Sequence, residues 1–285
     1  MSVYNEVPLM SMHNVTVRFG FIEALKSVNF DIWPKEVVSI VGDNGAGKST
    51  IIKLMAGLLQ PSEGKLDFQG KPTCIHSIRE ANDLGIVSVF QGQEFCNNLD
   101  VSSNLFLGQE LHDAHGMRDD MAMNTEARKI LQEFDSPIRV GQPISSLSTG
   151  QQQTVALAKT MLNNPKLILL DEPTSSLSMM QTAEVLNYIK RLRSQTRSVV
   201  LVGHDLPDVF AVSDRIIVLR HGRIKGIHET NNTSYEEIIA EIAGVDGEIS
   251  PCESEGRLQQ YQNAVKRNRL IDRTKELQDL DDGSQ

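Results

Sequence analysis

VVSIVGDNGAGKSTIIKLMAGLL, Val37 to Leu59, decides the fold. Val37 to Val41 is a β-rich apolar run without alternation, as expected of a strand buried on both faces of a parallel sheet. It leads directly into a glycine-rich loop and then into the helix-forming IIKLMAGLL. Strand, loop and helix in this order make a phosphate cradle. Gly42, Gly45 and Gly47 let the backbone turn its N–H groups inward, and the positive end of the helix points at the same anion. Lys48 is placed to reach the outer phosphates and Ser49 to hold Mg²⁺.

Similar unalternating runs recur at Leu167 to Leu170, Ser198 to Val202 and Arg215 to Leu219, which extends the parallel sheet. Alternating runs at Met10 to Phe19, Val28 to Ile32 and Lys65 to Phe68 predict a small antiparallel sheet at the N-terminal side. Apolar stripes at Val155, Ala158 and Leu162, and at Val185, Leu186, Ile189 and Leu192, predict two amphipathic helices. From about Gln91 to Ser146 the chain is more polar and lacks a strand-like run, so it reads as a helical insertion. His221-Gly222 punctuates a hairpin.

The second buried run ends in two carboxylates, LILLDE, at the edge of the sheet where ligands bind in open α/β folds. Asp171 reads as the magnesium partner. Glu172, pointing elsewhere if the strand stays extended, reads either as the base for an attacking water or as a helix-start acid before Pro173. His204 follows SVVLVG and arrives at the same edge, as a γ-phosphate contact or as an ordinary polar strand end. In LSTGQQQTVALAKTML, Ser148 and Gly150 open another helix. Capping accounts for Ser148, but a second anion-ready helix start is superfluous for one nucleotide unless a second copy of the chain donates it.

The net charge of −9 argues against a nucleic-acid partner, since non-specific binding rests on Lys and Arg. The first ten residues carry neither a positive charge nor an apolar run, so no targeting segment is expected there. No stretch approaches the roughly 18 apolar residues that cross a bilayer, and any membrane role must come through partners. Cys74, Cys96 and Cys252 lack metal-ligand spacing and fit a reducing compartment. Beyond Ile249 six basic residues face seven acidic ones, which makes a polar tail, helical or disordered, rather than a polybasic arm.

These residues resemble the nucleotide-binding domain of ATP-binding cassette (ABC) ATPases, from Met10 to about Gly244. GDNGAGKST resembles the Walker A loop, LILLDE the Walker B strand, LSTGQQQ the signature motif, Gln91 the Q-loop glutamine and His204 the switch histidine. The resemblance implies a P-loop NTPase fold: a mainly parallel α/β core, an N-terminal antiparallel β-subdomain and an α-helical subdomain at about 91–165 within a cassette spanning 1–248, followed by the tail 249–285. It implies that ATP contacts Asp43, Asn44, Ala46 and Thr50 besides the glycines, Lys48 and Ser49, and that adenine stacks on Phe19. Mg²⁺ would be held by Ser49, Gln91 and Asp171, with Glu172, His204, Gln91 and Lys48 catalytic.

It further implies a homodimer sandwiching two ATP molecules, each between one Walker loop and the other copy's Ser148 and Gly150, at the cytoplasmic face of a membrane permease. GIVSVFQGQEFCNNLDVSSNLFLGQE and VGHDLPDVFAVSDRIIVLRHGRIKG are most similar to ATPases of simple-sugar importers, which work with an extracytoplasmic solute-binding protein. The alternatives are an importer for an amino acid or nucleoside, an ABC ATPase that transports nothing, and a cassette that binds ATP only as a switch. Three departures stand out: a single cassette where many sugar importers fuse two, Thr149 in the signature where a glycine is common, and Ser178 where an Asp is common. Ser178 with Gln181 reads as a capping box.

Overall fold

The computed structural model describes residues 7–92, 95–134, 136–162, 164–175 and 177–244; the tail 249–285 lies outside them. The chain divides into two compact units, Met1–Thr233 and Ser234–Gln285. In the first, β1 (Met10–Phe19) and β2 (Ile22–Ile32) precede β3 (Val37–Val41) and α1 (Lys48–Met55). Then come β4 (Glu63–Phe68), β5 (Lys71–Thr73), α2 (Ile78–Leu84) and β6 (Ile86–Val89). Three helices follow with no strand among the described residues: α3 (Val101–Leu105), α4 (Asp120–Gln132) and α5 (Thr149–Lys159). The unit closes with β7 (Leu167–Asp171), α6 (Met179–Ser194), β8 (Ser198–Val202), α7 (Leu206–Val212), β9 (Arg215–Arg220) and β10 (Arg223–Glu229).

Two sheets result. One is antiparallel, in the order β2-β1-β4-β5; the other runs β10-β9-β3-β8-β7-β6 and is parallel except for β10. The parallel sheet is the centre because β3, β7 and β8 bury every residue they contain. One of its faces packs with α1 and the antiparallel sheet, through Ile40, Ile51, Leu54, Leu169 and Val200. The opposite face packs Ile168, Leu170 and Val199 against Val185, Ile189 and Leu192 of α6. The helical insertion has its own core around Leu105, Met123, Ile130 and Val155.

β2 begins at Ile22 rather than at Val28, because register shifts between β1 and β2 break the alternation that marks a strand. Ser27 sits in the left-handed region within this irregular stretch, φ 51°. β5 and β6 were not marked by the sequence pattern. β6 is a four-residue edge strand, too short for periodicity to separate it from the helix before it.

The strand order has one functional consequence. β3, β8, β7 and β6 are parallel neighbours, so the residues that follow each of them (the Gly42 loop, Gly203-His204, Glu172 and Phe90-Gln91) emerge side by side at one sheet edge. In the second unit α8 (Tyr235–Ala243) is capped by Ser234, whose side chain accepts from the Glu237 N–H, and ends at Gly244 with φ 71°.

Candidate active site

The loop between β3 and α1 is held open by glycines at left-handed angles, Gly45 at φ 80° and Gly47 at φ 109°. Gly47 also has no room for a side chain, since a Cβ there would stand 2.7 Å from the Ala24 carbonyl oxygen. Gly42 is similarly confined: a Cβ would overlap the Leu219 carbonyl oxygen. Lys48 is buried, and its ammonium donates to the carbonyls of Gly42 at 2.7 Å and Asp43 at 3.0 Å, folding back over its own loop. Burial pushes the Lys48 pKa down, against the pull of Glu172, Asp43 and Asp171. α1 starts with no side-chain cap and no acidic residue in its first turn, which leaves its N–H groups available to an anion. Asp43, Asn44 and Gly45 are exposed around this opening, Thr50 is half-buried and Ala46 is buried.

Ser49 Oγ donates to Asp171 Oδ1 at 3.1 Å, so the first turn of α1 meets the end of β7. Asp171 is buried, and burial raises its pKa, with the Ser49 bond opposing and Glu172 adding to the rise. Magnesium takes one or two carboxylates plus phosphate oxygens and water rather than a full protein cage. Among the described residues no cluster of three or more His, Cys, Asp or Glu could hold a metal by itself. Ser49 and Asp171 therefore fit an ion that arrives with a polyphosphate.

Glu172 lies beyond this pair and is the hub of the sheet edge. Its Oε2 accepts from Gln91 Nε2 at 3.2 Å and stands 3.7 Å from His204 Nδ1. Its separation from Asp171 has a different origin from the pleat of an extended strand: β7 stops at Asp171, and Glu172 turns into the left-handed region at φ 49°. For a residue with a side chain this is strained backbone of a kind that collects at functional sites. It is held by Glu172 N donating to the Val202 carbonyl at 3.0 Å and by Ser175 Oγ donating to the Glu172 carbonyl at 2.9 Å.

The sequence candidates fall into three places. Lys48, Ser49, Asp171, Glu172, Gln91 and His204 are joined around the sheet edge by the contacts above. Phe19 is at the end of β1, 48% exposed and paired with Ile22, two residues before the Ala24 carbonyl that abuts Gly47. Ser148 and Gly150 form a separate helix start with local contacts: Ser148 and Gln151 make a reciprocal capping box on α5. Ser178 and Gln181 make the same motif on α6, in agreement with the sequence reading.

Sequence reasoning missed the brace behind the phosphate loop. Gly222, in the β9–β10 turn, donates to the Ala46 carbonyl at 3.0 Å and accepts from Lys26 N at 2.8 Å. It is at φ 77°, and a Cβ would meet the Ala24 carbonyl oxygen at 2.7 Å. The only sequence signal was the hairpin turn. Gly222→Ala is expected to cost about 1–3 kcal/mol, read as a lower urea midpoint with an unchanged slope; an unshifted midpoint would mean the brace bears no strain.

Residues 25–175 match the ABC transporter family. The fructose import ATP-binding protein FrcA of Rhizobium meliloti is 33% identical over 245 residues, covering 83% of this chain and 94% of that protein. The ribose import ATP-binding protein RbsA 2 of Escherichia coli O157:H7 is 31% identical over 240 residues, and there the chain spans about half of its relative, 47%. Among solved structures, an ATP-binding cassette in a dimeric post-hydrolysis state bound to ADP and Pi aligns with a TM-score of 0.69 at 28% identity, covering 79% of this chain and 100% of that one. The chain belongs to the ABC transporter family.

Proposed function

We propose that this chain binds Mg-ATP at the Lys48–Asp171–Glu172 edge, hydrolyses it within a head-to-tail homodimer, and so energises an importer for a simple sugar. The observation that carries the hydrolytic step is the placement of the Glu172 carboxylate between Gln91 and His204, next in sequence to the buried Asp171 that accepts from Ser49. In that position Glu172 can orient and deprotonate a water in line with the outermost phosphate, and His204 can touch the departing phosphoryl oxygens. Lys48 exchanges its loop carbonyls for phosphate oxygens, and the backbone N–H groups from Gly45 to Ser49 hold the rest of the chain of phosphates. Magnesium bound at Ser49 and Asp171, with Gln91 beside them, would neutralise charge on the outer phosphates. Phe19 supplies the adenine-stacking face.

The dimer is supported by the dimeric cassette with which this chain aligns. The transport reading is supported by the names of the relatives, a fructose and a ribose import protein. Among the described residues no helix is long and apolar enough to cross a membrane. The permease would dock from the membrane side, with the solute-binding protein reached only through it, and the chain would sit at the cytoplasmic face. A groove of about 950 Å³ beside Gln91, lined by Arg79, Asp83, Phe90, Leu107 and half-buried Lys159, is the surface for a permease helix.

The experiment is phosphate release from ATP by the purified chain. Activity with Mg²⁺ and its loss with excess EDTA is expected; a rate unaffected by EDTA would reject the Ser49–Asp171 assignment. Sugar import is tested separately, by deleting the gene and following uptake of labelled monosaccharides. Unchanged uptake of all of them would remove the sugar and leave the ATPase.

A further inference from the structure

β3 is apolar except at Ser39, which is fully buried in the centre of the parallel sheet. Alternation puts Ser39 on the face of Val37, which packs in one cluster with Val199, Leu201, Val212 and the apolar stripe of α6. A hydroxyl taken out of water there requires a partner. Its partner is Ser213 Oγ, at the C-terminal end of α7. Ser213 Oγ also donates to the Val209 carbonyl at 2.7 Å, one turn back in α7. A hydroxyl has one proton to give, so Ser39 donates and Ser213 passes the bond on. Asp214 fastens the same corner: its N–H donates to the Val37 carbonyl at 2.8 Å, and its Oδ2 accepts from Val37 N at 2.9 Å.

The contacts continue beyond α7. The Val209 side chain lies 3.1 Å from where a Cβ would stand on Gly203, the residue before His204. Gly203 N in turn donates to the Ile40 carbonyl at 3.4 Å, one residue beyond Ser39. Ser39, Ser213, Val209, Gly203 and Ile40 thus close a ring, in which the segment from Gly203 to Ser213 is clasped to β3 at both ends. His204 leaves this ring toward Glu172, with 3.7 Å between its Nδ1 and Oε2 of the carboxylate. A helix of seven residues is only about 10 Å long and moves as one body, so a shift at its C-terminal end is carried to Gly203.

We infer that Ser39 and Ser213 are positioning residues for His204: their hydrogen bond sets the height of α7 over β3 and, through Val209 on Gly203, the place of the imidazole at the outermost phosphate. A histidine already held in place does not have to be reorganised during the reaction. This explains a polar residue in the middle of the central strand, where an apolar one would fill the sheet but leave α7 held by packing alone. The inference rests on the role given to His204 in the proposed function.

The two serines can be removed separately, with different costs. Ser39→Ala takes away the donor and leaves Ser213 bonded to Val209, whereas Ser213→Ala strands a buried hydroxyl in the sheet and should lower the urea midpoint more. Ser213→Thr keeps the hydroxyl. For the full chain carrying each change, alone and together with His204→Ala, kcat and KM for Mg-ATP are measured beside the urea midpoint. Ser39→Ala and Ser213→Ala should lower kcat about threefold to thirtyfold, the weight of a slightly misplaced catalytic group, with KM changed less than about twofold. Ser213→Thr should restore kcat. In the His204→Ala background neither loss should lower kcat by more than about twofold, because the effect passes through the imidazole. A parental kcat in Ser39→Ala, or equal losses with and without His204, overturns the inference and leaves the pair as packing. His204→Ala hydrolysing at the parental rate overturns the role of His204 and this inference together.

Discussion

Glu172→Gln is expected to lower steady-state ATP hydrolysis by about 10²–10⁴-fold, the usual weight of a general base. The substitution keeps the shape of the side chain and its place beside Gln91 and His204, but it removes the group that accepts the water's proton. It does not touch Lys48, the N–H groups of α1 or the Ser49–Asp171 pair, so ATP binding should stay within a few-fold of the parent. Bound but unhydrolysed ATP should then hold two copies together. Light scattering with ATP is expected to give a dimer that outlives its formation by many turnover times, and without ATP a monomer. A variant that hydrolyses at the parental rate would remove Glu172 from the chemistry and leave its left-handed turn as a structural bend. A variant that is slow but monomeric would keep Glu172 as the base and reject the sandwich.

The reading of Glu172 shows how far the sequence reaches. β3, β7 and β8 are legible because a strand buried on both faces reads as a near-continuous apolar run, and 37–41, 167–170 and 198–202 are apolar apart from Ser39 and Ser198. The phosphate loop is legible because its glycines and Lys48-Ser49 are contiguous. Convergence of Gln91 and His204 on Glu172 is not legible from spacing: the three are joined only by the order β8-β7-β6, and β6 is too short to announce itself. The turn at Glu172 was equally hidden, since it depends on a hydrogen bond to Val202 in the neighbouring strand. Gly222 under Ala46 and Gln181 over Gly150 are contacts between residues far apart in sequence. A glycine in a sequence declares that a side chain is dispensable there, but only the fold says what occupies the space.

Lys48 and Asp171 lead to the second large expectation, in which binding and stability change in opposite directions. Both are buried, 6% and 5% exposed, and burial disfavours the charged form of each: the lysine pKa is pushed down and the carboxyl pKa up. A lysine whose native pKa is below its unfolded one costs stability at pH below the native value, and the cost fades as pH rises through the interval. A carboxyl whose native pKa is above its unfolded one costs stability above the native value, and the cost fades as pH falls through its interval. Where both groups are charged, the nucleotide-free fold carries both costs. Mg-ATP removes them by giving the ammonium phosphate oxygens and the carboxylate a cation. Lys48→Met and Asp171→Asn should therefore be at least as stable as the parent without nucleotide. The parent at a hundredfold excess of Mg-ATP over Kd should gain about 2.7 kcal/mol, a rise in Tm of roughly 5–10 °C, and the variants little or nothing. Hydrolysis by Lys48→Met should fall by about 10²–10³-fold, the loss seen when a preorganised charge donor is removed. Thermal scans with and without Mg-ATP decide the matter: a nucleotide-free variant melting well below the parent would mean that these charges hold the fold together, and an undiminished nucleotide-induced rise would place the phosphates elsewhere.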